Sequence, residues 1–205
     1  MDRREFVKTG AVLAASGGAF GGAVASAFAS RHAYVGGSDT LRVGLIGCGG
    51  RGTGAAVQAL RADPGTALWA MGDAFENRLE SSLKNIRGAM AQSDEQAGDG
   101  SRGFREKVQI DAERSFVGFD AFQKVIDSGV DMVILTTPPA FRPQHLRSAV
   151  LAGKHVFCEK PVAVDAPGVR SVLESVRSAK EQNISVMSGF CWRQAPGRRA
   201  VRSDS

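Results

Sequence analysis

The sequence predicts an α/β fold in which a doubly wound parallel sheet of six strands forms a single domain. Two observations lead to this prediction. Short apolar runs alternate with amphipathic helical patterns over residues 41–190, and the first apolar run ends in closely spaced glycines. Strands that alternate with helices favour right-handed crossovers, which place the helices on both faces of a parallel sheet. Six strands suit the order 3-2-1-4-5-6.

The first strand, expected over residues 41–46, runs into a G-x-G-x-x-G motif, GCGGRG. Gly47 suits a tight turn, Gly49 lets backbone N–H groups approach a diphosphate, and Gly52 lets the next helix pack closely on the strand. That helix, predicted over residues 52–62, would direct its N-terminal N–H groups at the phosphates. Because 25 of the 205 residues are glycine, an ordinary glycine turn is the alternative.

The second strand, expected near residues 67–71, is followed by an acidic residue, Asp73. In dinucleotide-binding sheets, a carboxylate at the end of this strand accepts hydrogen bonds from the adenosine ribose. The same charge would repel a 2′-phosphate, so we expect NAD rather than NADP, although Arg78 could weaken this preference. Alternatively, Asp73 caps the helix predicted over residues 75–90.

The middle of the chain departs from the regular alternation. Residues 91–113 are polar and rich in glycine, which predicts a mobile surface insertion. A third strand is expected over residues 114–117. In the helix predicted over residues 120–128, Asp120 would be the N-cap and Phe119 a hydrophobic staple.

A buried strand near residues 131–136 leads into a Thr-Pro turn that contains Thr137 and Pro138. Pro143 suits the first turn of the helix predicted over residues 143–152. Because the carboxyl ends of parallel strands are where such sheets bind ligands, we expect this turn to lie beside the glycine turn.

The fifth strand, near residues 155–158, ends in Glu159 and Lys160 at the same ligand-binding edge. An ammonium group there can hydrogen-bond a substrate hydroxyl, polarise a forming carbonyl and attract phosphates. From the residues alone, a solvated Glu–Lys pair at a turn fits equally well.

The last helix, predicted over residues 166–182, begins with the capping signals Asp165 and Pro167 and precedes a sixth strand near residues 184–188. Its apolar residues recur at helical spacing, which indicates that they pack on the sheet. They are Val169, Val172, Leu173, Val176 and Ala179.

Length and composition fit one globular domain, with 43% hydrophobic residues, 23% charged residues and a net charge of +5. No basic stripe is interleaved with aromatic residues, so we expect no nucleic-acid binding. The three cysteines are widely spaced and form no C-x-x-C motif. This spacing argues against a disulfide framework and against a zinc site.

The N-terminus predicts a twin-arginine export signal over residues 1–29. Residues 3–8, RREFVK, resemble R-R-x-F-x-K, and a weakly apolar Gly/Ala stretch with an A-x-A-like cleavage site at residues 27–29 follows. Residues 30–40 would be a linker. We therefore expect export of a folded protein to the periplasm or another extracytoplasmic compartment, with a retained membrane anchor as the alternative.

Taken together, these motifs resemble the Gfo/Idh/MocA oxidoreductases, a family named for glucose–fructose oxidoreductase and inositol dehydrogenase. The resemblance covers about residues 41–200 and rests on GLIGCGGRGTG, Asp73, the TTPP turn and GKHVFCEKPVA. The GKHV-x-x-EKP block is the most specific part. The resemblance implies a Rossmann fold and hydride transfer between a carbon of a sugar or cyclitol and C4 of nicotinamide.

The resemblance also implies which residues bind the coenzyme. They are Gly47, Gly49, Arg51, Gly52, Asp73, Thr137, Pro138, Glu159, Lys160 and Arg193. Lys160 matches the catalytic lysine of the family and would meet the nicotinamide end together with Glu159. Arg142 stands where many members have a histidine, and the roles of Arg142 and His145 stay open.

Family members continue for roughly another domain, which supplies substrate contacts, whereas this chain ends in a short tail, residues 191–205. We therefore expect residues 41–190 to be the NAD(P)-binding domain of an oxidoreductase acting on CH–OH groups of sugars or cyclitols. As a fragment, it would be inactive unless a second domain supplied the sugar or polyol site, and its exposed face would favour a homo-oligomer. The alternatives are an NAD-dependent glycosidase of the same fold and a non-catalytic nucleotide-binding module.

Overall fold

The computed structural model describes residues 40–97 and 103–190, which form one six-stranded parallel sheet covered by helices on both faces. The strands are β1 (Leu41–Ile46), β2 (Thr66–Asp73), β3 (Ser115–Val117), β4 (Met132–Leu135), β5 (His155–Cys158) and β6 (Val186–Ser188). The helices are α1 (Gly50–Ala62), α2 (Glu76–Gln96), α3 (Ala121–Asp127), α4 (Arg142–Leu151) and α5 (Ala166–Glu181). The strand order β3-β2-β1-β4-β5-β6 confirms the predicted doubly wound arrangement.

The register of the central strands creates the crevice of the sheet. Ile46 of β1 pairs with Gly72 of β2 on one side and with Leu135 of β4 on the other. All three strands therefore end at the same level, and the turns that follow them meet at one edge. The chain runs from β1 to β2 in one direction, while β4 lies on the opposite side of β1. Loops that diverge in this way leave a crevice at the carboxyl ends of the strands.

Two apolar clusters, one on each face, bury the sheet. Leu45, Met71 and Ile86 belong to the cluster beneath α1 and α2, whereas Val125 and Leu146 belong to the cluster beneath α3, α4 and α5. Burial of each such side chain contributes about 1.5–3 kcal/mol. Because residues 43–46 of β1 and the whole of β4 are covered on both faces, these stretches are continuous apolar runs rather than alternating ones.

The described residues of the predicted surface insertion, 91–97 and 103–113, differ from the prediction. Helix α2 continues to Gln96 with Met90 and Ser93 buried, and Ile110 is buried in the cluster beneath α1 and α2. Two short 3-10 helices lie at Arg105–Lys107 and Ala112–Arg114. The Asp94 carboxylate accepts hydrogen bonds from the backbone N–H groups of Gly103, Phe104 and Arg105. One carboxylate therefore satisfies three backbone N–H groups, and for the described residues the prediction of a mobile insertion was wrong.

Asp120 is the N-cap residue of α3 as predicted, but its side chain does not cap the helix, and the predicted staple is wrong. The Asp120 side chain makes no capping hydrogen bond and instead pairs with Lys124, its Oδ2 lying 2.9 Å from Nζ. Phe119 is 76% exposed, so it does not pack as a staple. Lys124, four residues later, competes with the backbone N–H groups for this carboxylate, and the capping pattern takes no account of such a competitor.

The apolar stripe of α5 is only partly buried. Val172 and Ala179 face the core together with Ser175, whereas Val169, Leu173 and Val176 are exposed. The buried face thus follows positions 172, 175 and 179, and Ser175 can lie within it because its hydroxyl donates to the carbonyl of Ser171. The expectation that the whole stripe packs on the sheet was wrong.

Several predictions concern residues outside the described part of the chain. The signal segment (residues 1–29), nearly all of the linker (residues 30–39) and the tail with Arg193 (residues 191–205) belong to this group. Within residues 40–97 and 103–190, no helix is both long enough and apolar enough to cross a membrane.

Gly52 and Gly54 lie in the same helix and provide a matched test of close packing. A Cβ at Gly52 would overlap the carbonyl oxygen of Gly47 and lie 2.5 Å from Thr136 Oγ1, whereas a Cβ at Gly54 meets nothing within 4 Å. We expect Gly52→Ala to lower the free energy of unfolding by about 1–3 kcal/mol, since the backbone must shift. Gly54→Ala should raise it by about 0.5–1 kcal/mol. Urea denaturation measures both, and equal effects would contradict the packing argument.

Candidate functional site

A cavity of about 520 Å³ lies at the carboxyl ends of β1, β2 and β4. Its walls come from the glycine turn, the end of β2, the start of α3 and the Thr-Pro turn. The lining residues include Gly47, Gly49, Asp73, Phe75, Arg78, Phe119, Phe122, Thr136, Thr137, Pro138, Phe141, Arg142 and His145. The cavity therefore occupies the crevice that the strand order creates.

The glycine turn is held against β4 by Thr136. Gly47 has φ +95°, a conformation that favours glycine, and its N–H donates to the carbonyl of Gly72 at 2.8 Å. Thr136 Oγ1 lies 2.6 Å from the carbonyl oxygen of Gly47 and donates to it. A Cβ on Gly47 would lie 2.7 Å from the backbone nitrogen of Thr137. Only glycine fits this turn.

Helix α1 presents an N-terminus without a side-chain cap to the crevice. Gly49 is its N-cap residue and makes no side-chain hydrogen bond, and the first turn holds no acidic residue. The first N–H groups of the helix therefore have no partner within the helix and carry the positive end of its dipole. Arg78 Nη1 would lie 3.8 Å from a Cβ placed on Gly49, which adds a cation beside these donors.

Asp73 joins the end of β2 to the glycine turn. Its Oδ2 accepts a hydrogen bond from the N–H of Cys48 at 2.6 Å, and its Oδ1 accepts one from the N–H of Phe75 at 3.0 Å. Each carboxylate oxygen can accept a further hydrogen bond, so Asp73 can still bind a hydroxyl group in the cavity. Burial, reinforced by the Asp73 charge, raises the pKa of the Cys48 thiol, which keeps it protonated.

Aromatic side chains form the wall on the side of α3 and α4. The ring of Phe122 stacks on His145 with centroids 4.1 Å apart, and Phe141 lies 6.1 Å from His145. The Nδ1 atom of His145 lies 3.1 Å from Thr137 Oγ1. Burial lowers the pKa of His145 to about 4, so its imidazole is neutral at pH 7. This wall offers flat apolar surface to a ring system.

Arg51 and Glu159 pair with each other outside the lining of the cavity. The Glu159 side chain is buried, and its Oε1 accepts from Arg51 Nε at 2.7 Å as part of an ion pair. Its Oε2 accepts from the backbone N–H of Lys160 at 3.2 Å. Neither Arg51 nor Glu159 lines the cavity. Their proposed contact with a coenzyme stays a prediction, and the structure gives both side chains a structural partner.

Arg142 is a buried cation at the start of α4. Its Nε donates to the carbonyl of Thr137 at 2.8 Å, and its Nη1 donates to the carbonyls of Glu159, at 2.7 Å, and Pro161. Desolvation lowers the pKa of Arg142, an effect that the charge of Glu159 opposes. One guanidinium therefore connects the loops after β4 and β5.

The structure brings five of the predicted residues together around the cavity: Gly47, Gly49, Asp73, Thr137 and Pro138. Gly52 supports the turn from beneath, and Lys160 is exposed beyond the cavity. Sequence reasoning missed Thr136, Phe122 and Phe141 and left Arg142 and His145 open. Of these residues, only Thr136 could have been found from the sequence, because it belongs to the TTPP turn that was predicted to lie beside the glycine turn.

Comparisons with known proteins identify the family of this domain. The family described as "Oxidoreductase family, NAD-binding Rossmann fold", Gfo/Idh/MocA, matches residues 41–190. Inositol 2-dehydrogenase from Acidiphilium cryptum (strain JF-5) is 29% identical over 164 residues, which cover 80% of this chain and 41% of that protein. The chain thus spans about two fifths of the length of that relative.

Solved structures share the fold. Scyllo-inositol dehydrogenase from Lactobacillus casei with bound NAD(H) and scyllo-inositol has a TM-score of 0.58 and 20% identity over 80% of this chain and 40% of that chain. The 3-ketoreductase KijD10 from Actinomadura kijaniata, in complex with TDP-benzene and NADP, has a TM-score of 0.55 and 24% identity over 80% of this chain and 42% of that chain.

The lowered pKa of His145 predicts a pH-dependent contribution to stability. The folded pKa of about 4 lies below the ordinary value of 6.5, so the unfolded chain binds the proton more tightly. The contribution is present above pH 6.5 and is lost as the pH falls to 4, by about 2–3 kcal/mol in total. The difference in unfolding free energy between wild type and His145→Gln should therefore shrink from pH 7 to pH 4. A difference that is constant over this range would contradict burial of the neutral imidazole.

Proposed function

The chain belongs to the Gfo/Idh/MocA oxidoreductase family, and we propose that it is the coenzyme-binding part of an NAD-dependent dehydrogenase. One observation carries the proposal for this site. The turn at Gly47, the N-terminus of α1 without a side-chain cap and the carboxylate of Asp73 converge on a single cavity. Diphosphate oxygens require N–H donors such as those of a helix N-terminus, and ribose hydroxyls require an acceptor such as a carboxylate, so a dinucleotide needs both side by side.

The residues present fit a dinucleotide. The diphosphate would lie on the backbone N–H groups after Gly49, where the helix dipole contributes about 0.3–1 kcal/mol and Arg78 adds a positive charge. No Cβ covers the backbone at Gly49, where an added Cβ would have only Arg78 Nη1 within 4 Å, so the N–H groups after it are accessible. The adenosine ribose would bind Asp73, and the apolar rings of Phe122 and Phe141 suit the base. When bound, the coenzyme supplies hydride transfer at nicotinamide C4.

The charge distribution favours NAD over NADP. The carboxylate of Asp73 would lie where a 2′-phosphate would have to bind, and repulsion between the two anions disfavours NADP. Arg78 lines the same cavity and would offset part of this repulsion. We therefore propose a preference for NAD that is limited in size rather than absolute.

The substrate class proposed here is a cyclitol or sugar that is oxidised at a CH–OH group. The relatives named inositol 2-dehydrogenase and the exposed ammonium of Lys160 at the end of β5 support it. An ammonium in that place can bind the hydroxyl that loses its proton and stabilise the developing charge on oxygen. Since the chain spans about two fifths of these relatives, further substrate contacts are proposed to lie outside it. NADH formation from NAD with myo-inositol, compared with hydrolysis of a glycoside, tests this class in an enzyme that includes those further contacts.

Titration with NADH, followed by its fluorescence, tests coenzyme binding directly. We expect saturable binding by the wild type and an affinity about 10–100-fold lower for Asp73→Asn, since a charge-assisted hydrogen bond contributes about 1.5–3 kcal/mol. The preference for NADH over NADPH should shrink in the same variant. Asp131→Asn is the matched control, because Asp131 also accepts a backbone N–H, that of Arg42, but lies at the opposite edge of the sheet. Absence of saturable binding by the wild type would end the proposal.

We propose export through the twin-arginine route on the basis of residues 1–29, and self-association stays a prediction. A fusion of these residues to a folded reporter should reach the periplasm, and replacing Arg3 and Arg4 with lysine should abolish export. A reporter that stays in the cytoplasm in both cases would contradict the signal. Light scattering that gives the monomer mass would contradict self-association.

A further inference from the structure

We propose that Arg142 is a positioning residue for Lys160: it holds the backbone on both sides of the lysine and thereby directs the ammonium group to the nicotinamide end of the coenzyme. The inference rests on the proposed function. It assigns a role to a side chain that neither the motifs nor the family resemblance explains.

The contacts of Arg142 are concentrated on the loop that carries the lysine. Its side chain is only 6% exposed. Nη1 donates to the carbonyl of Glu159 at 2.7 Å and to that of Pro161, the two residues that flank Lys160. Nε donates to the carbonyl of Thr137 at 2.8 Å, so the same guanidinium also connects this loop to the Thr-Pro turn on the cavity wall.

A second arginine holds the loop from the other side. The carboxylate of Glu159, which Arg51 binds, accepts a hydrogen bond from the N–H of Lys160 at 3.2 Å. The backbone around Lys160 is thus held at the carbonyl before it, at its own N–H and at the carbonyl after it. The side chain of Lys160 is exposed. A fixed backbone with a free side chain is the arrangement that places a reactive group with little loss of entropy on ligand binding.

The position of Arg142 is unfavourable for stability alone. It is the first residue of α4, where the helix dipole disfavours a cation, and burial adds a desolvation cost. Among the described residues, its hydrogen-bond acceptors are backbone carbonyls, and no carboxylate accepts from it. Groups held at such a cost are concentrated at functional sites.

Only an arginine can make these contacts together. The guanidinium presents donors on separate nitrogens in a rigid plane, so Nε and Nη1 reach two different loops. A lysine has a single nitrogen and can reach one of the loops but not both. Arg142→Lys therefore keeps the charge while it releases part of the loop.

The experiment compares two ligands that differ at the nicotinamide end. Wild type and Arg142→Lys of the full chain are titrated with NADH and with ADP-ribose, which lacks nicotinamide. Arg147→Lys is the matched control, because Arg147 lies on the same helix with an exposed side chain. We expect Arg142→Lys to bind NADH about five- to tenfold more weakly and ADP-ribose within twofold of wild type. Arg147→Lys should behave as wild type with both ligands.

Chemical labelling of Lys160 gives a readout that a general loss of stability does not produce. An amine-reactive reagent is applied with and without each ligand, and mass spectrometry follows Lys160 relative to the exposed Lys180. In the wild type, NADH should slow labelling of Lys160 at least fivefold and ADP-ribose should not. In Arg142→Lys, protection by NADH should fall below twofold. The double variant with Lys160→Met should bind NADH no more weakly than Lys160→Met alone, because both changes remove the same contact.

Each other result overturns the inference. Equal losses of affinity for NADH and ADP-ribose would mean that Arg142 contacts the shared part of the ligand or only supports the fold. If NADH protects Lys160 from labelling equally well in Arg142→Lys, or if the losses of affinity add in the double variant, Arg142 does not act through Lys160. Arg142→Gln serves as a second variant, and failure of both variants to fold would assign the guanidinium to the fold alone. If the wild type binds neither ligand, the proposed function itself is wrong.

Discussion

The close approach of three strand ends is the constraint on which this structure depends. Backbone occupies the space beside Gly47 so completely that a side chain there would collide with Thr137. Thr136 closes the gap with a hydrogen bond to the carbonyl of Gly47. Since the turn cannot move away from β4, helix α1 begins at the crevice, and the N–H of Cys48 comes within reach of Asp73. Packing of the backbone therefore places the N–H groups at the start of α1 and the carboxylate of Asp73 side by side.

The two ends of the proposed site are built differently. The end near Asp73 is a cavity with aromatic walls, where burial lowers the pKa of His145 and keeps its imidazole neutral. The end near Lys160 lies outside that cavity and is organised by charge. There Arg51 and Arg142 bind the side chain and the backbone of Glu159, respectively. Apolar walls suit a base, whereas a rigid polar network suits a group that must hold a proton or a charge.

Much of this fold was predictable because its signals are local. Hydrophobic runs gave all six strands within a few residues, and the glycine spacing located the turn. Errors arose where a side chain had a choice of partners. The Asp120 carboxylate pairs with Lys124 instead of accepting a capping hydrogen bond on α3. The Asp94 carboxylate accepts hydrogen bonds from backbone N–H groups in a segment that was predicted to be an open loop. On α5, Ser175 is buried and Leu173 is exposed, because the neighbouring elements decide which face is covered.

The sequence by itself determined the fold class, the strand order, the glycine turn and the acidic end of β2, since sterics and periodicity act over a few residues. The tertiary structure alone decided the partners of Arg51, Arg142 and His145. Glu159 lies 108 positions from Arg51, and the carbonyls that Arg142 binds belong to two different loops. No spacing rule connects such residues, because the sheet brings them together only after its strands have paired.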